Sequence, residues 1–182
     1  MFGKALAKVI FKVSGWKLKG SMPPGIKQAI MIAAPHTSNW DFVYARAAFY
    51  LMDVPVKLTI KKEAFFFPMG ALLKSMGAVP VDRKKNNNLV AAMVDLFKEY
   101  DEMVMMVTPE GTRKYQPRWK KGFYHTAVQA GVPILLGYLD YAKKEAGIGP
   151  TIHPTGDFEA DMVKILDFYR TVTPKFPSQG VR

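Results

Sequence analysis

His36 and Asp41 stand five residues apart in Ala34-Pro35-His36-Thr37-Ser38-Asn39-Trp40-Asp41-Phe42, where an apolar run turns into a helical pattern. A neutral imidazole oriented by a carboxylate is a general base suited to pH 7. The spacing alone decides little. Ser38-Asn39-Trp40-Asp41 also matches a capping box, in which Ser38 caps the helix and Asp41 reaches back to the cap. On that reading Asp41 needs no chemical role. The two roles are compatible, and the carboxyl end of a parallel strand is where open α/β sheets hold their ligands.

Two further turns carry residue types that suit an anion. In Val107-Thr108-Pro109-Glu110-Gly111-Thr112-Arg113 a strand ends in a turn followed by basic residues. A glycine lets backbone amides approach an anion, Thr112 adds a hydroxyl, and Arg113 offers a planar fork that matches phosphate. The plain alternative is a tight turn with a surface arginine. In Gly77-Ala78-Val79-Pro80-Val81-Asp82-Arg83 another strand ends in arginine. Taken alone, Asp82 and Arg83 make a surface ion pair worth little. All three stretches fall at expected carboxyl ends of strands, which predicts one shared cleft. No metal constellation is apparent: His125 and His153 lie on an expected helix and strand without paired carboxylates.

The elements that must position these residues alternate along the chain. Strands are expected at 28–34, 56–60, 78–81, 102–107, 132–139 and 151–154. Helices are expected at 41–52, 63–76, 89–100, 122–130 and 157–171, with Asn86-Asn87-Asn88 capping the third and Gly131 stopping the fourth. Residues 143–150 read as a loop. This alternation predicts an α/β fold, a single-domain αβα sandwich whose sheet is largely parallel but mixed.

Before it, residues 1–22 form an arm, separated from the domain at 23–182 by Pro23-Pro24-Gly25. Phe2, Ala5, Leu6, Val9, Ile10 and Val13 share one face of a helix, and Lys4, Lys8 and Lys12 another. Such a basic amphipathic helix suits an anionic membrane surface; the alternative is a helix docking this apolar stripe on the domain. Lysines interrupt the apolar part, so it is not a secretory signal, and no run elsewhere is long enough to span a membrane.

Composition narrows the classes further. With 182 residues and no cysteine, the chain has room for one substantial core and none for a disulfide framework, a zinc–thiolate site or a cysteine nucleophile. The formal charge of +11 favours an anionic partner. Residues 1–20 hold five lysines and no acid, and Arg113, Lys114, Arg118, Lys120 and Lys121 form a second basic block. No nucleic-acid recognition motif interleaves aromatics with these cations, so no nucleic acid is expected. Trp119 within the second block suits a membrane interface. The run 64–73 is apolar all round and reads as buried core or as the wall of an apolar pocket.

Together, in this order, the blocks resemble those of the glycerolipid acyltransferase family, the lysophospholipid and glycerol-phosphate acyltransferases. His36 and Asp41 match its His-x4-Asp block; Gly77, Asp82 and Arg83 match Gly-x4-Asp-Arg; Glu110 to Arg113 match Glu-Gly-Thr-Arg; and Val132-Pro133-Ile134 resembles the fourth block. The resemblance runs from about residue 29 to 136. Pro35 stands where the family commonly has asparagine, and Lys114 where a serine often follows the arginine.

The resemblance implies transfer of a fatty acyl group from a thioester on coenzyme A or acyl carrier protein to a hydroxyl of a lysophospholipid such as 1-acylglycerol 3-phosphate. No cofactor beyond that co-substrate is implied. His36 is then the base and Asp41 its orienting partner. Arg83, Glu110, Gly111, Thr112 and Arg113 serve the acceptor, with Glu110 ordering its turn or binding an acceptor hydroxyl. Ser38, Asp82 and Pro133 support them; Ser38 as a nucleophile is the minor alternative. The expected location is peripheral, on the cytoplasmic face of a bacterial inner membrane. An amino-lipid or sugar-lipid acceptor is the nearest alternative function, and a non-catalytic basic module binding membrane or nucleic acid the remote one.

Overall fold

Residues 28–33 and 103–107 are apolar at nearly every position, and a strand with no polar face must be covered on both sides. The computed structural model describes residues 2–75, 77–81 and 89–182 and places these two segments side by side in the centre of a sheet. Among the described residues there are seven strands: β1 (Lys17–Lys19), β2 (Gln28–Ala33), β3 (Val56–Lys61), β4 (Ala78–Val81), β5 (Met103–Val107), β6 (Ile134–Asp140) and β7 (Glu145–Ile152). Their order is β1-β7-β6-β2-β5-β3-β4. Neighbours from β6 to β4 are parallel, β7 runs antiparallel to β6, and β1 follows β7 in parallel.

Helices cover both faces. They are α1 (Phe2–Ser14), α2 (Trp40–Met52), α3 (Met69–Ser75), α4 (Leu89–Glu99), α5 (Gly122–Ala130) and α6 (Phe158–Arg170). Alternation along β2 divides the core. Ile30 and Ile32 point to the face covered by α4, α5 and α6, where they join Leu96, Phe97, Phe123, Tyr124 and Ile165. Ala29 and Met31 point to the opposite face, where Phe49 of α2 packs. The expected mixed αβα sandwich is the fold observed.

The loop expected at 143–150 is instead most of β7. Its sequence Glu-Ala-Gly-Ile-Gly-Pro reads as a turn, yet its glycines answer close neighbours: a Cβ on Gly147 would lie 2.0 Å from the Lys19 carbonyl oxygen, and one on Gly149 2.3 Å from the Phe168 ring. β1, with the polar sequence Lys-Leu-Lys, gave no strand signal and is exposed throughout. The helix expected at 63–76 is a short 3-10 turn followed by α3, with Pro68 between. Two of the three phenylalanines in the apolar run there are not core: Phe66 is 62% and Phe67 92% exposed. The proposed cap at 86–88 lies outside the described residues.

The arm is a helix as expected. α1 docks beside α2 through Ala7 and Phe11, which join buried Trp16, Ala47 and Ala48. Leu6, Val9 and Val13, part of the stripe for which docking is the alternative reading, face outward. A buried Phe stabilises by about 1.5–3 kcal/mol, whereas an exposed ion pair contributes about 0–1 kcal/mol. The 2.6 Å contact between Lys4 and Asp53 is therefore the lesser tie. Trp119 is buried against Tyr169, with ring centroids 5.6 Å apart, and does not stand at an interface.

Candidate active site

The sheet register explains how distant motifs meet. Ile32 of β2 lies opposite Val107 of β5, so the chain leaves both strands at one end of the sheet. On the other flank Ala33 lies opposite Gly137, and β6 runs on past it in the same direction to Asp140. The connections after β2 and β5 therefore sit side by side, which is where an open parallel sheet presents its loops.

Asp41, in the first turn of α2, is 7% exposed and is held by donors on both oxygens. Its Oδ2 lies 3.0 Å from His36 Nδ1 and accepts from the Thr37 and Ser38 amides, each at 2.9 Å. Its Oδ1 accepts from the Tyr141 hydroxyl at 2.6 Å. Burial raises the Asp41 carboxyl, but the His36 and Tyr141 hydrogen bonds and the two amides outweigh it and hold the group below the usual aspartate range. An ionised carboxylate only accepts, so Nδ1 is the donor of this pair, and in the neutral imidazole the lone pair falls on Nε2. The side chain is 25% exposed. This is the tautomer a general base requires.

The helix start differs from a full capping box in one respect. Asp41 reaches back to the Ser38 amide as expected, while Ser38 Oγ accepts from the Trp40 amide at 3.2 Å. Ser38 is buried and does not line the cavity described below. Its hydroxyl organises the turn and is not presented as a nucleophile.

Glu110 turns inward and is 5% exposed. Its Oε2 accepts from the His36 backbone amide at 2.9 Å, so the turn after β5 anchors the segment that carries the imidazole. Burial raises its carboxyl from 4.5 to about 7, against the opposing His36 amide hydrogen bond and His36 charge; the Asp41 charge adds to the rise. An acid with a raised folded pKa binds its proton more tightly folded than unfolded. Stability then declines as pH climbs from 4.5 to about 7 and is level above. We expect Glu110→Gln to remove this decline, which amounts to ~3 kcal/mol, and to keep an acceptor for the His36 amide. Urea unfolding at pH 5 and pH 8 measures it; equal pH dependence in parent and variant would contradict the assignment.

Gly111 has φ +67°, a left-handed conformation that favours glycine, and a Cβ there would lie 2.7 Å from Lys120 Nζ. The lysine thus lies across the turn. Thr112 Oγ1 accepts from the Lys114 amide at 3.3 Å. Arg113 is exposed and lines the same cavity as His36. Pro133 is not brought to this end: its carbonyl accepts from the Ile30 amide at 3.0 Å, at the opposite end of the sheet. Asp82 and Arg83 lie outside the described residues.

The dyad opens on a cavity of about 480 Å³ between the sheet and α2. Met31, Met106, Leu58, Ala45, Phe49 and Met52 form apolar walls, while His36, Asn39, Asp41 and Arg113 supply polar groups. Phe65, Phe66, Phe67, Met69, Ala71 and Leu73 of the apolar run are not among its lining residues. Tyr141, one hundred residues beyond Asp41, was invisible in the sequence, where it is one aromatic at a strand end.

The family model described as Acyltransferase matches residues 17–135, from β1 to the second residue of β6. The chain belongs to the acyltransferase family. It is 33% identical over 109 residues to 1-acyl-sn-glycerol-3-phosphate acyltransferase of Salmonella typhimurium, a match covering 56% of this chain and 43% of that protein. It is 28% identical over 134 residues to the human 1-acyl-sn-glycerol-3-phosphate acyltransferase alpha, covering 68% of this chain and 46% of that one. This acyltransferase-family chain thus spans less than half the length of those relatives. The crystal structure of the 1-acyl-sn-glycerophosphate (LPA) acyltransferase PlsC from Thermotoga maritima has a similar fold. Its TM-score is 0.59 at 17% identity, over 91% of this chain and 74% of that one.

Proposed function

We propose that this acyltransferase moves a fatty acyl group from a thioester, on coenzyme A or acyl carrier protein, to a hydroxyl of a lysophospholipid such as 1-acylglycerol 3-phosphate. The observation that carries the reading is an imidazole paired through Nδ1 with a buried carboxylate, beside an apolar cavity. His36 and Asp41 line the same space as Met31, Phe49 and Met52. A cavity of about 480 Å³ falls within the range of small-molecule binding sites, and its apolar walls suit an acyl chain.

The acceptor hydroxyl gives its proton to His36 Nε2 as its oxygen attacks the thioester carbonyl carbon. The Asp41 carboxylate stabilises the imidazolium that forms. The tetrahedral intermediate then breaks its carbon–sulfur bond. The departing sulfur takes the proton from His36 and leaves as a thiol, so the ester forms without an acyl-enzyme and the base is regenerated.

Arg113 holds the acceptor's phosphate. Lys120 beside the Gly111 turn adds positive charge to that region. We expect Arg113→Ala to raise KM for a phosphorylated acceptor about tenfold, the scale of one exposed hydrogen bond to a charged group. KM for a neutral monoacylglycerol should not move. Equal effects on both acceptors would show that Arg113 does not read phosphate.

The peripheral membrane location we propose rests on α1. Leu6, Val9 and Val13 are exposed on a helix that also exposes Lys8 and Lys12. Apolar side chains enter the acyl boundary while lysines meet anionic headgroups. No helix among the described residues is long and apolar enough to cross a membrane.

The decisive experiment supplies the purified protein with a panel of acyl thioesters and acceptors and reads the products by mass spectrometry. A new ester on 1-acylglycerol 3-phosphate supports the proposal. Acylation only of an amino-lipid or sugar lipid would move the acceptor class, and no acylation of any acceptor would overturn the proposal.

A further inference from the structure

We propose that Tyr141 is a positioning residue for the dyad: its phenol fixes the second oxygen of Asp41 so that the first stays on His36. The inference rests on the proposed chemistry of that pair. Among the described residues Tyr141 is the sole donor to Asp41 Oδ1, at 2.6 Å. Without it the carboxylate is held through Oδ2 alone, where one oxygen serves the His36 ring and two amides. Hydrogen bonds on both oxygens fix the plane of the carboxylate; bonds on one leave its torsion softer.

The phenol is itself held from three directions. Its residue follows the last residue of β6, and its backbone amide donates to the Thr173 carbonyl at 2.8 Å. Its ring meets Trp16 edge-on at 5.0 Å and Tyr44 of α2 at 6.1 Å. Trp16 also stacks on Tyr44 at 4.5 Å, so arm, helix and sheet close around one aromatic ring. Burial first, then the Asp41 hydrogen bond, raises the phenol well above its ordinary range, so it remains a proton donor wherever Asp41 is ionised. Tyr141 does not line the cavity. It acts through Asp41 and touches no substrate.

The test is Tyr141→Phe in the full chain, which removes one oxygen and keeps the ring. We expect kcat to fall about tenfold, the scale of one hydrogen bond to a charged group, with KM for donor and acceptor unchanged. The low-field proton resonance of His36 Nδ1–H should shift, because its acceptor has lost a competing donor. In the Asp41→Asn background Tyr141→Phe should cost much less than in the parent, since both changes act on one link.

A folded Tyr141→Phe protein with parental kcat and an unmoved His36 resonance would overturn the assignment, as would equal loss in the two backgrounds. Should Tyr141→Phe fail to fold, 3-fluorotyrosine placed at position 141 keeps the ring and changes the donor strength. An unmoved resonance then overturns the proposal and a shifted one supports it. If the parent protein transfers no acyl group, the proposed function fails, while the resonance still judges Tyr141.

Discussion

His36→Ala is expected to lower acyl transfer by about 10²–10⁴-fold, the range of a positioned general base. The imidazole is 25% exposed and its ring bonds only to Asp41 among the described residues, so its loss removes little packing. The amide of residue 36 still donates to Glu110 in the variant, and the turn keeps its anchor. The melting temperature should therefore change far less than turnover. Rates are read with a thioester donor and a lysophospholipid, and folding by circular dichroism. Near-parental turnover in a folded variant would remove His36 from the chemistry.

Asp41→Asn is expected to cost about 10²–10³-fold in kcat, and the site explains why it tests charge in particular. The Thr37 and Ser38 amides both point at Oδ2 and can be met only by the oxygen of a carboxamide. Its NH2 group is then forced toward the Tyr141 oxygen. The His36 Nδ1–H keeps an acceptor, so the tautomer survives and only the negative charge behind the imidazolium is lost. Asp41→Ala differs, because it strips two buried amides of their partner at about 1–3 kcal/mol each. Asn should thus fold like the parent and Ala melt earlier. If Asn and Ala lose equal stability, the amides do not depend on this side chain.

Linkage gives the pair a sign on the acid side. Asp41 has a folded pKa below its unfolded value, so its contribution is present above the unfolded pKa and is lost as pH falls through the folded one. Glu110 runs the other way, losing its contribution as pH rises toward about 7. The two carboxyls beside His36 therefore pull stability in opposite directions on the two sides of the mildly acidic range.

Some of this was legible in the sequence and some was not, for physical reasons. β2 and β5 announce themselves because a strand covered on both faces must be apolar along its length. The His36–Asp41 pair shows as spacing, since a residue five positions on can reach back over a helix start. Glu110 is misleading, because Pro-Glu-Gly-Thr has the composition of a surface turn while the carboxyl points inward to an amide 74 residues away. β7 is hidden for a similar reason: its glycines answer crowding from Lys19 and Phe168, which exists only after folding. α1 shows that an amphipathic pattern gives a helix and an apolar face without saying which face the domain takes. Small Ala7 and bulky Phe11 suit a close helix pair better than the branched stripe of Leu6, Val9 and Val13.

Trp16 has a practical consequence for anyone handling the protein. A leader with outward-facing leucine and valine invites trimming, as a step toward solubility. Trimming past residue 16 would also remove the ring against which Tyr141 rests, 5.0 Å away, and so disturb the carboxylate behind the base. Solubility gained by shortening would come at the expense of turnover, and a silent truncated preparation would say nothing about the acceptor.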